Sequence, residues 1–346
     1  MEEARNLPRG VRLLACLLLI TLCAVTQLGS TQSEPAPSAP PPPGRLIDLG
    51  GYKLHLNCTG QGRPTVVLSP GAGDFSFDWA LVQPEVAKFT RVCSYDRSGA
   101  AWSDLGPKPR TVYQEVFDLR RLLAKAGERG PYILVGQSAG GNVGRIFAMQ
   151  YRKEIKGLVL VDATHEDGQL FINGKWVRMR TLAKDRPIPP PRDSVSVSDA
   201  PSPEEAQKLQ EFMTKVVGKP EIDQPFEKLP LEAQQERLWA LAQWQQFATG
   251  DDYAAEVSAQ LYAQDAKTKH PLGKLPLIVL SRTRDEYPKK MAAVLSAEHK
   301  DQQARLALLS SKGKQIIVPN SGHHIQLDAP DAVISAIQSM VTQVRR

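Results

Sequence analysis

Five residues, Gly136-Gln137-Ser138-Ala139-Gly140, restrict the possible folds of this chain more than any other stretch. They stand between a continuous apolar run, Tyr132 to Val135, and a helical pattern from Asn142 to Tyr151. A strand must therefore turn sharply into a helix at a serine. Glycines two positions before and after keep side chains out of so tight a turn, which lifts the serine hydroxyl clear of the strand. Leu158 to Val161 is a second short apolar run of the kind buried on both faces, so the segment reads as a βαβ unit of a parallel sheet.

The same alternation extends in both directions. Ile47 to Gly51 and Tyr52 to Cys58 read as a hairpin turning at Gly50-Gly51, with further strands at Thr65 to Leu68 and Arg91 to Tyr95. Val112, Val116, Leu119, Leu122 and Leu123 recur at helical spacing over Thr111 to Ala126. Leu277 to Leu280 and Gln315 to Val318 resume the strands, and the amphipathic stretch Asp331 to Val344 closes the series. Residues 166–270 interrupt it. They carry Pro187 to Pro191 and then polar, helix-prone sequence, with helices expected over Pro203 to Val217, Leu231 to Phe247 and Asp252 to Ala266. The expected organisation is an α/β core in two parts, 45–165 and 271–346, around a helical cap at 166–270; a separate second domain is the alternative.

Arg5, Arg9 and Arg12 precede an apolar run from Leu13 to Val25, then small and polar residues. That order fits a secretory signal over 1–33, since the run is short for about 30 Å of hydrocarbon. Export is expected, with an uncleaved membrane anchor as the alternative. Residues 34–44, EPAPSAPPPPG, suit an extended polyproline tether. The net charge of +6 over 346 residues, without a basic cluster interleaved with aromatics, argues against a nucleic-acid partner. No GxxxxGKS loop appears, and Gly71-Ala72-Gly73 lacks the third glycine of a dinucleotide fingerprint, so no nucleotide cofactor is expected. Metal catalysis has no support either: there is no HExxH, and Cys58 and Cys93 are too far apart in sequence for a CxxC pair. After signal removal these two cysteines suffice for one disulfide, or remain buried thiols.

A serine nucleophile needs a base, and the base needs an acid to orient it. His323, in Asn320-Ser321-Gly322-His323-His324 just past the last apolar strand, is the expected base; His324 is its rival. His55, in an early strand, reads as structural, and His165 as a pocket wall without a catalytic role. Asp285, beyond the strand Leu277 to Leu280, is the expected acid, because the order Ser138, Asp285, His323 is that of hydrolases built on a serine elbow. Asp162, directly after Leu158 to Val161, is the rival acid. The developing oxyanion needs N–H donors, expected from the backbone of Ala139 and of Ala72 in the loop Ser69-Pro70-Gly71-Ala72-Gly73-Asp74.

With the elbow, the segments Val67-Leu68-Ser69-Pro70-Gly71, Tyr95-Asp96-Arg97-Ser98-Gly99, Leu158-Val159-Leu160-Val161-Asp162 and Ser321-Gly322-His323 make the chain resemble the α/β-hydrolase superfamily, in its group of capped serine hydrolases. The resemblance implies a mostly parallel eight-stranded sheet flanked by helices. It also makes the second and fourth strands neighbours, which would bring Cys58 and Cys93 within bonding reach. Gln137 and Pro70 stand where members often have histidine, and neither change removes a required group. The serine argues against the related epoxide hydrolases and haloalkane dehalogenases, which use a carboxylate nucleophile. The expected activity is cleavage of a small-molecule carboxylic ester through an acyl-enzyme. An amide or peptide substrate with the same triad is the nearest alternative, and a non-catalytic binding protein on this scaffold is the other. Trp176, Trp239, Trp244 and Tyr262 are candidate pocket walls or cap core.

Overall fold

The elbow strand, β5 (Tyr132–Gln137), lies near the middle of an eight-stranded sheet in the computed structural model, which describes residues 39–216 and 218–346. The expected signal at 1–33 and residues 34–38 of the linker lie outside the described residues. The other strands are β1 (Arg45–Asp48), β2 (Lys53–Thr59), β3 (Thr65–Ser69), β4 (Val92–Tyr95), β6 (Ile155–Val161), β9 (Leu277–Arg282) and β10 (Gly313–Val318). Their order is β1-β2-β4-β3-β5-β6-β9-β10, antiparallel at β1–β2 and β2–β4 and parallel elsewhere. Between β6 and β9 the chain leaves this sheet. There it forms a two-stranded hairpin, β7 (Gln169–Ile172) with β8 (Lys175–Arg178), followed by the helices Pro203–Val216, Leu231–Leu241 and Ala254–Lys267.

Continuous apolar runs make the central strands because both faces are covered. Leu134, Leu158, Leu160 and Val279 pack on one face with Leu119, Leu122 and Leu123 of helix Val112–Lys125 and with Ile146 and Phe147 of helix Gly140–Gln150. Ile133, Val135, Val159 and Val161 meet Val333, Ile337 and Met340 of helix Pro330–Arg345 on the other. The period of two along β5 thus distributes successive side chains between two cores. Helix Val112–Lys125 starts where Thr111 accepts a hydrogen bond from Gln114 N at 3.0 Å, an N-cap that satisfies one of the unpaired first-turn donors. The β5–β6 pairing carries one irregularity: Tyr132 faces Ile155 but Ile133 faces Gly157, which leaves Lys156 as an extra residue. From there the register runs unbroken to Gln137 opposite Val161.

Cys58 and Cys93 are register partners on β2 and β4, with Cα atoms 4.0 Å apart, and are joined by a disulfide. The inserted segment is tied to the core by buried charge. Arg145, 1 % exposed on helix Gly140–Gln150, bonds Glu166 (2.7 Å) and Asp265 (2.9 Å). A third apolar cluster, with Phe75, Phe77, Trp102, Phe226, Trp239 and Leu327, joins that segment to the loops of the sheet. Residues 39–44 are docked at this junction instead of extending freely as a tether. The Pro40 carbonyl accepts from Trp102 Nε1 at 2.8 Å, and the Pro43 carbonyl accepts from the His55 ring.

The inserted segment is mostly helical and also carries a hairpin, turned by Asn173 (φ 49°) and Gly174 (φ 77°) between β7 and β8; one expected helix needs correction. The helix expected to run to Phe247 ends at Leu241, with a separate 3-10 turn at Trp244–Thr249, so Trp239 is the buried tryptophan of that helix.

Candidate active site

Ser138 sits at φ 50°, immediately after β5 and before helix Gly140–Gln150. Its backbone is held on both sides: Ser138 N donates to Val161 O (3.1 Å), and Ser138 O accepts from Gly141 N and Thr164 N, both at 3.0 Å. The two glycines of the elbow are required by contact. A Cβ on Gly136 would lie 2.2 Å from Gly140 O, and one on Gly140 would lie 2.4 Å from Ser69 O. Ser138 Oγ has Thr164 Oγ1 as its nearest hydrogen-bonding neighbour, at 3.4 Å.

Asp162 occupies the corresponding place on the next strand. It directly follows β6 with φ 42°, so two residues in left-handed backbone end adjacent strands side by side. Asp and Asn tolerate that conformation better than most residues, whereas serine there marks a strained turn held by its surroundings. His323 reaches this carboxylate from the loop after β10, with Nδ1 2.6 Å from Asp162 Oδ2. That loop is fixed by its own bonds: His323 N donates to Glu286 Oε2 (3.1 Å), Gln137 Nε2 donates to His323 O (3.2 Å) and Gly322 N donates to Asp328 Oδ2 (2.7 Å).

The orienting acid expected from the sequence, Asp285, is thereby corrected. It is exposed on the loop after β9, where its Oδ1 accepts from Tyr287 N at 3.0 Å in a local turn. The partner of His323 is the rival, Asp162. The loop after β9 runs two residues past the strand before reaching Asp285, while Asp162 stands at the very end of the strand beside the elbow strand.

Asp162 is 1 % exposed at its side chain, and two imidazole rings and a guanidinium face it. Besides His323, His299 of helix Ala292–Leu308 brings Nε2 to 2.9 Å from Oδ1. Arg282 offers its backbone N to Oδ1 (3.3 Å) and its guanidinium to Oδ2 (3.7 Å). Burial pushes the Asp162 carboxyl upward, but His299, His323 and Arg282 outweigh it and hold the group well below the usual carboxylate range. Asp162 is therefore ionised at neutral pH. His299 was not singled out in the sequence, where nothing local links it to a strand end 137 positions earlier.

The two expected oxyanion donors are unengaged backbone groups: among the described residues neither the Ala72 nor the Ala139 N–H is taken up by a protein acceptor. Ala139 opens helix Gly140–Gln150, where the partial positive charge of the helix N-terminus favours an anion. The Ala72 loop is tightly packed from behind, since a Cβ on Gly71 would lie 2.0 Å from Gln137 Oε1 and 2.7 Å from Asp74 Oδ2. Buried Arg97 donates to the carbonyls of Pro70 (3.2 Å) and Gly71.

His324, the rival base, turns away to Asp74, with Nε2 3.3 Å from Oδ2. His165 is buried with Nδ1 accepting from Asp167 N at 3.0 Å, and burial pushes its ring down to about 4. His55 lies in the core bonded to Asp96 at 2.7 Å. Trp176 is half-buried between Phe171 (5.3 Å) and Tyr287 (6.4 Å), and Tyr262 lies under the Arg180 guanidinium at 3.9 Å. Among the described residues one trio of metal-ligand side chains converges, Cys58, Cys93 and Glu128, and the disulfide engages both of its sulfurs.

An eight-stranded, mostly parallel sheet with a serine elbow after its fifth strand is a fold with known relatives, and the pattern of the alpha/beta hydrolase family matches residues 66–336. The chain belongs to the alpha/beta hydrolase family. An esterase from Thermogutta terrifontis superposes on this alpha/beta hydrolase with a TM-score of 0.56, 21% identity, and coverage of 85% of this chain and 95% of that one. An uncharacterized protein of Schizosaccharomyces pombe is 42% identical over 152 residues, 35% of this chain and 28% of that protein. The 2-hydroxy-6-oxo-2,4-heptadienoate hydrolase of Pseudomonas putida is 29% identical over 126 residues, 35% of this chain and 44% of that enzyme. The chain thus spans less than half the length of these two curated relatives. Among the described residues no helix is long and apolar enough to cross a membrane.

Proposed function

We propose that this alpha/beta hydrolase cleaves a carboxylic ester through an acyl-enzyme, with Ser138 as nucleophile, His323 as general base and Asp162 as the acid that orients it. The observation that carries the reading is the 2.6 Å contact of His323 Nδ1 with the buried Asp162 carboxylate beside the elbow. With Nδ1 donating there, Nε2 is the nitrogen left to accept a proton. Ser138 Oγ adds to the ester carbonyl carbon as its proton passes to Nε2, and the carbonyl π pair moves onto oxygen, facing the Ala72 and Ala139 N–H groups. Collapse breaks the bond to the alcohol oxygen, which takes the proton from His323. Water then adds to the acyl carbon, giving its proton to the same histidine, and the carboxylic acid leaves as Ser138 is restored. Asp162 lowers the energy of the imidazolium at each stage. That the Thermogutta protein is an esterase supports the ester half of the reading.

The test is labelling with a fluorophosphonate probe, followed by turnover of p-nitrophenyl esters of increasing acyl length and of aminoacyl anilides. Wild type is expected to label and Ser138→Ala to be silent. Equal labelling of the two, or none of wild type, overturns the assignment, and faster turnover of anilides than of esters moves the substrate to amides. We also propose that the enzyme is exported. The charged and apolar N-terminal pattern and the Cys58–Cys93 disulfide support this, because disulfides persist in oxidising compartments. Recovery of the protein in a reduced form from the cytosolic fraction alone argues against it.

A further inference from the structure

Helix Leu231–Leu241 of the inserted segment sends one cation into the loop that carries the Ala72 donor. Arg237 is 7 % exposed, with Nη1 2.5 Å from Asp78 Oδ2 and Nη2 3.6 Å from Asp74 Oδ1. Its guanidinium plane lies 3.3 Å from the centre of the Phe226 ring. Asp78 Oδ2 also accepts from Phe75 N at 2.9 Å, and Asp74 N donates to Gly71 O at 3.1 Å, so both carboxylates belong to the turn that begins at the donor loop. The far oxygen of Asp74 faces His324, the neighbour of the base.

Two buried carboxylates this close repel, and each loses hydration on burial. Burial and the charge of Asp74 raise the Asp78 carboxyl to about 6 against the pull of Arg237, while burial of Asp74 is outweighed by His324 and Arg237, which hold it low. Arg237 is the cation that faces both carboxylates, and His324 faces Asp74 as well. Arg97 grips the same loop through its carbonyls, so the loop is clamped between an arginine of the loop after β4 and an arginine of the inserted segment.

We infer that Arg237 is a positioning residue for the oxyanion loop, so that the Ala72 donor takes its working place only while helix Leu231–Leu241 is seated. Displacement of that helix and loss of one oxyanion donor are then a single event, which confines ester activation to the closed state. The inference rests on the serine hydrolase reading. It accounts for a planar, two-pronged cation at this position: a lysine supplies the charge but reaches one carboxylate and does not stack on Phe226.

The experiment compares Arg237→Lys with wild type on a p-nitrophenyl ester and by rate of fluorophosphonate labelling, each normalised to folded protein by circular dichroism. Removal of one oxyanion donor costs about 100-fold to 1000-fold in kcat, so a displaced donor is expected to cost at least about tenfold, with KM within about threefold. Labelling should slow in parallel. Asp265→Asn is the control, because it loosens another tie of the inserted segment, to Arg145, without touching the donor loop; its kcat per folded molecule should stay near wild type. If Arg237→Lys does not fold, Asp78→Asn takes its place: it keeps the shape of the turn and removes the main partner of Arg237, and kcat should fall with KM unchanged. Wild-type kcat in whichever variant folds, or an equal loss in Asp265→Asn, overturns the inference. Failure of wild type to label overturns instead the reading on which it rests.

Discussion

Asp162→Asn against Asp285→Asn is the sharpest test of the site. The first change leaves the backbone unstrained, since asparagine tolerates the left-handed φ of 42° about as well as aspartate. It removes the charge that faces His323 Nδ1 at 2.6 Å. Charge centres of an imidazolium and a carboxylate in such a contact are about 4 Å apart, and at an effective dielectric of about 20 their attraction is about 4 kcal/mol. At about 1.4 kcal/mol per factor of ten, kcat falls by about 1000-fold. The neutral amide also permits the wrong imidazole tautomer, which acts in the same direction. The substrate does not touch Asp162 in the proposed reaction, so KM changes little. Asp285, exposed and engaged only in a local turn, should tolerate asparagine within about twofold. Initial rates on a p-nitrophenyl ester, with melting curves to count folded molecules, read both. A loss of about 100-fold or more in Asp285→Asn, with Asp162→Asn spared, refutes the geometric reasoning.

Three further outcomes follow from the packing. Gly71→Ala must displace Gln137 or Asp74, because its Cβ would fall 2.0 Å and 2.7 Å from their oxygens, so kcat should drop at least about tenfold on the same esters; wild-type rates would refute the close approach. His165 is buried, with Nδ1 accepting from Asp167 N, and burial, only partly opposed by Glu166, takes its ring from 6.5 to about 4. The unfolded chain therefore binds this proton first as pH falls, and up to about 3 kcal/mol of stability present above about pH 6.5 is lost between there and about pH 4. His165→Gln should flatten that part of the pH dependence of urea midpoints, and an unchanged slope contradicts it. Replacing Cys58 and Cys93 by serine opens a loop of sequence separation 35, worth up to about 4 kcal/mol by chain entropy. A lower urea midpoint is expected, whereas two free thiols in the unreduced mass of exported protein contradict the bond.

The central strands of the large sheet were legible because burial on both faces leaves an unbroken apolar run, and the elbow because the glycines at 136 and 140 answer a contact that any side chain would violate. The choice between two aspartates was not legible in the same way. Both follow strands, and sequence does not say how far a loop carries a carboxylate from the strand end; Thr283 and Arg284 intervene and carry Asp285 to the surface. The β7–β8 hairpin did leave a local signal. Asn173-Gly174 between Leu170-Phe171-Ile172 and Trp176-Val177 is the pair that type I′ turns favour. Contacts such as His299 with Asp162 and Arg237 with Asp78 join residues over 130 positions apart, so periodicity holds no trace of them.

The extra residue in β6 bears on chemistry it does not touch. Before Lys156 the two strands are offset by one count, Tyr132 to Ile155; after it they are offset by one more, and that second count is what sets Ser138 level with Asp162. Without the insertion the first offset would continue, pairing Ser138 with Val161 and Asp162 with Ala139. The spacing of nucleophile and acid is thus dialled in at the opposite end of the strands, about 16 Å away at 3.3 Å per residue. Lys156 is an exposed side chain of no chemical consequence whose backbone acts as a shim. Deleting it would rewrite the active site while leaving every reacting group in the chain.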